Sequence, residues 1–467
     1  MKELRRNMRL VGTLVVILFV GLAAWFAMTV FTQGSIWASD VRNSRLRATA
    51  SLRGDITDRD GNLLATTAED GTRQYTANTT ARRALSQTVG DTAGMSTGIE
   101  TFYSATLLDI STGLLDRLSE LFHSAKHVGG SIQITVDGPL QAYIASQFPS
   151  GYRGAVCVIN YKTGEILAMV SMPNYDPSDL AVRSDAQVED TAYLNRCLQG
   201  LYTPGSVFKI ITLASAINND VNVIDQTFSC SGVWEYEGGH IVCAGGTSHG
   251  TVNLKTAFKR SCNVTFGKLA YQLGLERLRQ TAERFGFNEN FKFGDFVVYN
   301  SAFPTEVNNM NGLVWAGIGQ GEVLVTPLHM AMISGTIANK GVMMKPWLIK
   351  KIANSVGKTT SAGAPAAYRQ VVSESVASKI AEYMYEAVQS GTAARAAIKG
   401  YSVGGKTGSA EVSNDKNVET NAWFTGFIYD EAHPYAISVV IEGGGAGARM
   451  PSELAAKALK KTIEYVG

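Results

Sequence analysis

The sequence carries almost no net charge and little cysteine. Lys plus Arg total 42 and Asp plus Glu total 40, a formal net charge of +2. No long basic run lies outside the extreme N-terminus, so the chain lacks the positive field that a nucleic acid partner requires. The five cysteines, Cys157, Cys197, Cys230, Cys243 and Cys262, include no pair at two-residue spacing. That spacing offers no zinc-type grouping, and neither a metal nor a cofactor is expected. Cys230 and Cys243 lie in FSCSGVWEYEGGHIVC; outside the cytoplasm they either close a small loop as a disulfide or stand as two thiols, and both readings stay open. The odd total leaves at least one cysteine outside any intramolecular pair. Internal repeats are absent too.

Two further absences remove tempting motifs. VVIEGGGAGARMPSELAAKAL runs strand, Gly-rich turn, helix in the manner of a dinucleotide site, but no strand with an acidic residue follows it, so nucleotide binding is not expected. His123 and His127 share a helical face in HSAKH without the glutamate and third ligand of a zinc protease, and read as exposed structural histidines.

What is present is apolar enough for real cores: 467 residues at 45% hydrophobic content suggest two or three domains. Lys2, Arg5, Arg6 and Arg9 precede an uncharged apolar run from Leu10 to Phe31. As a helix at ~1.5 Å per residue this run reaches ~33 Å, enough to cross a bilayer. A cleavable signal peptide would have a shorter apolar core and a small-residue cleavage site, which Ile36 and Ala38 around Trp37 fit poorly. The expectation is an uncleaved anchor with a cytoplasmic start and an extracytoplasmic body, since the first charge after the run is Asp40.

Beyond the anchor, LRGDITDRDGNLLATT reads as two short strands around the turn Arg59 to Asn62. The region from about Ser35 to Val136 is otherwise polar, with helical patterning near Leu114 to Phe122, and looks like a small stalk or platform. At TVDGPLQAYIASQF, Asp137 and Pro139 make a cap and first turn. GAVCVINYKTGEILAMVS then reads as a hairpin opening a new domain. Helices are expected over Val207 to Ile217, Leu254 to Leu273, Leu328 to Ala338, Ser375 to Val388 and Pro451 to Tyr465, with strands at Ala422 to Tyr429 and Tyr435 to Ile441. Strand pair, helices, strands, helix is an α+β order, not alternating βαβ.

Ser-x-x-Lys occurs three times: Ser206 with Lys209, Ser355 with Lys358, and Ser413 with Lys416. The last two sit in turn-like SVGK and SNDK, where nothing fixes or desolvates the lysine. Ser206 differs: Pro204 and Gly205 end the preceding chain, and IITLASAI continues as a nearly all-round apolar helix, expected to be buried. On that helix the two side chains share a face. A lysine with a pKa near 10.4 is neutral only about once in 2500 molecules at pH 7, so it makes a poor base until burial lowers that value. The helix N-terminus would also favour a developing negative charge. Local physics alone leaves two readings, a nucleophile with its base or a helix start with a snorkelling lysine. Lys-Thr-Gly appears twice. At Lys162 it is the hairpin turn; at Lys406 it follows Gly404 and Gly405 and opens an extended segment that a ligand's backbone can approach. Ser-x-Asn occurs once, as Ser261, Cys262 and Asn263.

The order SVFK, SCN, KTG resembles the motif set of penicillin-binding proteins and serine β-lactamases. The chain looks like a class B penicillin-binding protein, a monofunctional peptidoglycan D,D-transpeptidase. LRGDITDRDGNLLA resembles that family's pedestal signature, GAVCVINYKTGEILAMVSMPNYDP its domain-opening hairpin, and GIGQGEVLVTPLHMA and NAWFTGF its later landmarks. The pedestal is shorter than in many members, and elongation, division and sporulation roles all stay open.

The resemblance implies a penicillin-binding/serine β-lactamase-like fold, an antiparallel sheet flanked by helices plus a helical subdomain. The implied division is a cytoplasmic tail over 1–9, an anchor over 10–32, a pedestal over 33–138 and a transpeptidase domain over 139–467. It further implies Ser206 as acylated nucleophile, Lys209 as its proton acceptor, Ser261 as a relay to the leaving group and Asn263 as a hydrogen-bond partner of the substrate peptide. Lys406 and Thr407 would anchor the terminal carboxylate, Gly408 would leave room for the substrate strand, and the amides of Ser206 and Ser409 would form the oxyanion hole. The implied partners are stem peptides ending in D-Ala-D-Ala, an amine acceptor, β-lactams, and a membrane glycan polymerase of the shape, elongation, division and sporulation family. Hydrolysis in place of transfer, or a non-enzymatic scaffold, are the competing readings.

Overall fold

The computed structural model describes residues 2–38, 52–108, 128–179, 190–411, 420–445 and 449–467. His123, His127, the expected helix near Leu114 to Phe122, and the pair Ser413 and Lys416 lie outside the described residues. The chain opens with α1 (Lys2–Ala38). The described side chains from Leu10 to Phe26 in this helix are all exposed. Among the described residues no helix is long and apolar enough to cross a membrane.

Four short strands follow: β1 (Ile56–Thr57), β2 (Leu63–Thr67), β3 (Arg73–Tyr75) and β4 (Ser131–Ile134). The turn between β1 and β2 is fastened by Asp58, whose Oδ1 accepts from the Asp60 and Asn62 amides at 3.0 and 2.8 Å. This is the side-chain mimic of a backbone turn that Asp favours. Asp137 then caps α2 (Gly138–Gln147), its carboxylate accepting from Leu140 N at 2.7 Å. Strands β5 (Arg153–Asn160) and β6 (Ile166–Met172) form the expected hairpin, with Lys162, Thr163 and Gly164 in its turn.

The helical middle contains α3 (Lys209–Asn219), α4 (Leu254–Lys259), α5 (Asn263–Phe285) and α6 (Pro327–Ala338). Two small ribbons, Thr227–Cys230 with Gly250–Asn253 and Val233–Tyr236 with Gly239–Val242, project between α3 and α4. After α6 come β7 (Ile349–Ala353), β8 (Thr359–Ala362), α7 (Glu374–Ser390), β9 (Val403–Ala410), β10 (Asn421–Ile428), β11 (Tyr435–Glu442) and α8 (Arg449–Val466).

Two sheets organise these elements. The larger strands make an antiparallel sheet in the order β9, β10, β11, β5, β6. Every residue of β10 is buried, so both faces of this sheet are covered. Helix α6, buried along its whole length, packs against β5, β10 and β11; α8 also packs against β10 and β11, and α2 against α8. The second sheet has the order β8, β7, β4, β1, β2, β3. It is not built from the first 138 residues alone, because β7 and β8 return from residues 349–362, β7 pairing with β4 and β8 with β7.

One expected element is divided. The apolar pattern read as a single helix from Leu254 to Leu273 is two helices, α4 and α5, broken at Arg260 to Cys262. The pattern runs through the break without interruption, but the backbone turns there.

Candidate active site

The centre depends on how α3 begins. Gly205 has φ +56° and donates its N–H to the Gly319 carbonyl at 2.8 Å. A Cβ at Gly205 would stand 2.4 Å from the Ser409 carbonyl, and one at Gly319 would stand 2.2 Å from the Gly205 carbonyl. Glycine at both places lets this turn press against β9. Residues Gly205–Phe208 form a 3₁₀ turn that presents Ser206, and the regular α-helix starts only at Lys209.

Lys209 is fully buried. Its Nζ donates to Ser206 Oγ at 3.1 Å, to the Ser261 carbonyl at 2.8 Å, to Ser261 Oγ at 3.1 Å and to Asn263 Oδ1 at 2.7 Å. No carboxylate is among these partners, and the Phe266 ring lies 5.6 Å away. Burial pushes the ammonium down to about 7, with the Cys262 and Cys243 thiols pulling the other way.

Ser261 reaches Lys209 through the break between α4 and α5. Cys262 N donates to the Ala257 carbonyl at 2.8 Å and Ser261 N to the Phe258 carbonyl at 3.0 Å. This double bond pattern is a Schellman close, normally occupied by glycine at its left-handed position. Here that position is Ser261 at φ +56°, so a residue with a Cβ holds a conformation it rarely adopts. Asn263 begins α5 and donates Nδ2 to the Val242 carbonyl at 2.8 Å.

Strand β9 supplies the other wall. Lys406 is fully buried, with Nζ donating to the Thr407 carbonyl at 3.0 Å and lying 5.7 Å from the Phe258 ring centroid. Burial first, and the charge of Lys209 second, hold its ammonium well below the ordinary lysine range. Thr407 Oγ1 donates to Thr392 Oγ1 at 2.9 Å. A Cβ at Gly408 would stand 2.8 Å from the Pro204 carbonyl, so this strand also lies close against the turn before Ser206.

All eight residues singled out in the sequence therefore meet. Ser206, Ser261, Asn263, Thr407, Gly408 and Ser409 line one cleft of about 810 Å³, and the two lysines lie behind it. The decoys fall elsewhere: Ser355 and Lys358 are in the turn between β7 and β8, and Lys162 is in the β5–β6 turn. Sequence reading passed over Thr392, which no motif marks, and Gly319, which stands in the quoted GIGQGE landmark. It also missed a convergence of thiols. Cys230 and Cys243 are free, with Sγ atoms 3.7 Å apart, and Cys262 and His249 join them. The expectation of no zinc-type grouping rested on spacing along the chain and fails in three dimensions, because the two ribbons fold these positions together.

Chemically, a serine hydroxyl within hydrogen-bond reach of a desolvated lysine, with a second hydroxyl on the same nitrogen, is an activated nucleophile with a proton relay. Thr407 and Ser409 on β9 face the same cleft.

A family model described as the penicillin binding protein transpeptidase domain matches residues 154–464. The peptidoglycan D,D-transpeptidase PbpA of Mycolicibacterium smegmatis is 31% identical over 468 residues, covering 94% of this chain and 94% of that protein. The crystal structure of a D,D-transpeptidase domain from Eggerthella lenta has a TM-score of 0.77 at 31% identity, covering 90% of this chain and 100% of that one. The penicillin G acyl-enzyme complex of penicillin-binding protein A from M. tuberculosis has a TM-score of 0.80 at 27% identity, covering 88% of this chain and 100% of that one.

Proposed function

The chain belongs to the penicillin-binding protein transpeptidase family, and from that premise we propose how its own residues perform the reaction. It is a serine-type peptidoglycan D,D-transpeptidase that cross-links stem peptides through an acyl-enzyme and is covalently blocked by β-lactams. Ser206 Oγ attacks the carbonyl of the D-Ala-D-Ala amide while neutral Lys209 takes its proton. The C–N bond breaks as the nitrogen accepts a proton relayed through Ser261, and D-Ala leaves. An amine of a neighbouring stem peptide then attacks the ester, yields its proton to the same relay and releases Ser206. The Ser206 and Ser409 amides hold the developing oxyanion. Asn263 orients the donor peptide, while Lys406 and Thr407 take its terminal carboxylate, whose arrival restores the charge that burial disfavours on Lys406.

The observation that carries this assignment is Lys209 Nζ, bonded at once to Ser206 Oγ, Ser261 Oγ and Asn263 Oδ1 in a fully buried setting. A fluorescent penicillin tests it: the expected result is a lasting covalent adduct on the peptide containing Ser206, absent from Ser206→Ala. Absence of any adduct would favour a scaffold, and release of the adduct within seconds a hydrolase.

The same reading anchors the enzyme in the membrane with its catalytic domain extracytoplasmic. Its support is the apolar run of α1, where Leu14, Ile17, Leu18 and Phe19 are 58%, 61%, 66% and 64% exposed; a run this apolar gains by entering lipid. We assign residues 33–138 to a pedestal and 139–467 to the transpeptidase domain. A membrane glycan polymerase contacts the anchor and pedestal in this scheme, on the strength of family resemblance.

A further inference from the structure

Cys230, Cys243, His249 and Cys262 are thirteen, six and thirteen residues apart in sequence. Cys230 ends one ribbon strand, Cys243 follows the other ribbon, His249 precedes Gly250–Asn253, and Cys262 sits at the N-cap of α5. Their ligating atoms all lie within 4.8 Å of one another. The Sγ separations are 3.7 Å for Cys230 and Cys243 and 3.8 Å for Cys243 and Cys262. His249 Nδ1 stands 3.4 Å from Cys230 Sγ and 3.6 Å from Cys243 Sγ. A tetrahedral zinc with Zn–S ~2.3 Å and Zn–N ~2.0–2.1 Å requires S···S edges of ~3.8 Å and S···N edges of ~3.5 Å. These four of the six edges match both values, and the other two lie within 4.8 Å.

Two observations separate this cluster from ordinary buried thiols. Cys197 Sγ donates to the Val156 and Val170 carbonyls at 3.4 and 3.3 Å, the behaviour of a neutral thiol. Cys262 Sγ instead accepts from Thr265 N at 3.4 Å and Thr265 Oγ1 at 3.2 Å at the start of α5, which suits a metal-bound thiolate. Backbone hydrogen bonds also fix the loops. Cys243 N donates to the Gly232 carbonyl at 2.9 Å, Gly246 N to the Cys243 carbonyl at 2.8 Å and His249 N to the Cys230 carbonyl at 3.2 Å. A Cβ at Gly232 would stand 2.3 Å from the Gly246 carbonyl, so the two loops meet at glycine.

We propose that Cys230, Cys243, His249 and Cys262 bind one structural zinc ion as a tetrahedral Cys₃His site. Cys262 separates Ser261 from Asn263, and Asn263 is already bonded to Val242. The ion ties the strained turn that carries both residues to the ribbon on the cleft wall. Binding displaces the thiol protons, so three thiolates and a neutral imidazole hold the metal.

The full chain, purified without chelator, should contain about one zinc per molecule by elemental mass spectrometry, and Cys230→Ser and Cys262→Ser should lose most of it. Cobalt(II) added to the chelator-stripped chain should give the visible bands of a tetrahedral thiolate site. Should a serine variant fail to fold, the wild-type chain decides alone. Iodoacetamide should spare Cys230, Cys243 and Cys262 in the zinc form and label them after chelation. A Cys230–Cys243 disulfide in non-reducing peptide maps, zinc retained undiminished in both variants, or no uptake of equimolar zinc by the reduced chain would each overturn the site. These readouts do not use penicillin, so the metal site and the transpeptidase reading succeed or fail separately.

Discussion

In the proposed mechanism Lys209 is the residue on which the chemistry turns. Burial with four neutral oxygen partners and no carboxylate pushes its ammonium down to about 7, and only the uncharged form can accept the Ser206 proton. Acylation by penicillin should therefore be slow at pH 5.5, rise as the pH passes through about 7 and level off above it; a flat profile across that window would sink the role given to Lys209. Lys209→Arg, whose guanidinium stays charged, should lower the acylation rate by about 10²–10⁴. Ser261 offers a different test, of strain. At φ +56°, Ser261→Ala keeps the Cβ penalty, while Ser261→Gly relieves it. In denaturant unfolding the glycine variant should exceed the alanine variant by about 1 kcal/mol, with both acylated slowly. The identities of Ser206, Lys209, Ser261 and Asn263 were legible from motif order. The backbone state of Ser261 was not, because serine gives no sign of a left-handed position that glycine would announce.

At the scale of elements, the site is three chain ends pressed together: the start of α3, the α4–α5 break and the edge strand β9. Their approach is close enough that glycine is required at Gly205, where a Cβ would stand 2.4 Å from the Ser409 carbonyl. Gly205→Ala should destabilise the fold by about 1–3 kcal/mol, read by thermal or denaturant unfolding, and slow acylation by moving Ser206 off the β9 wall. The long helices, the β5–β6 hairpin and β10 and β11 were legible because their apolar periods are sustained. The α4–α5 break was not, since Leu254, Ala257 and Phe258 and then Val264, Phe266 and Leu269 are all buried, and their pattern passes through the turn without a glycine or proline to mark it. The thiol cluster was hidden for a related reason: its members belong to two ribbons and a helix cap, so no local spacing records that they meet.

Among the described residues the two large sheets do not make two separable pieces. Strand β4 pairs on one side with β1 and on the other with β7, so residues 349–362 complete a sheet that begins at Ile56. The boundary near residue 138, read from a change of composition, follows the chain but not the hydrogen bonds. Further ties cross it: Arg82 bonds Asp176 through Nε and Nη2 at 2.8 and 2.7 Å, and Gln87 Nε2 donates to the Ala192 carbonyl at 2.7 Å. Deleting residues 1–138 would strip β7 of its β4 partner and leave an open edge carrying Ile349 and Ile352, with the Asp176 carboxylate without its Arg82 ion pair. An open apolar edge recruits other chains. A chain trimmed to 52–467 should thus be recovered soluble and labelled by fluorescent penicillin, whereas one trimmed to 139–467 should aggregate or label only a minor fraction. Equal labelling and equal thermal stability of the two would show that the N-terminal strands are an attachment, and that the catalytic cleft does not depend on the sheet they share.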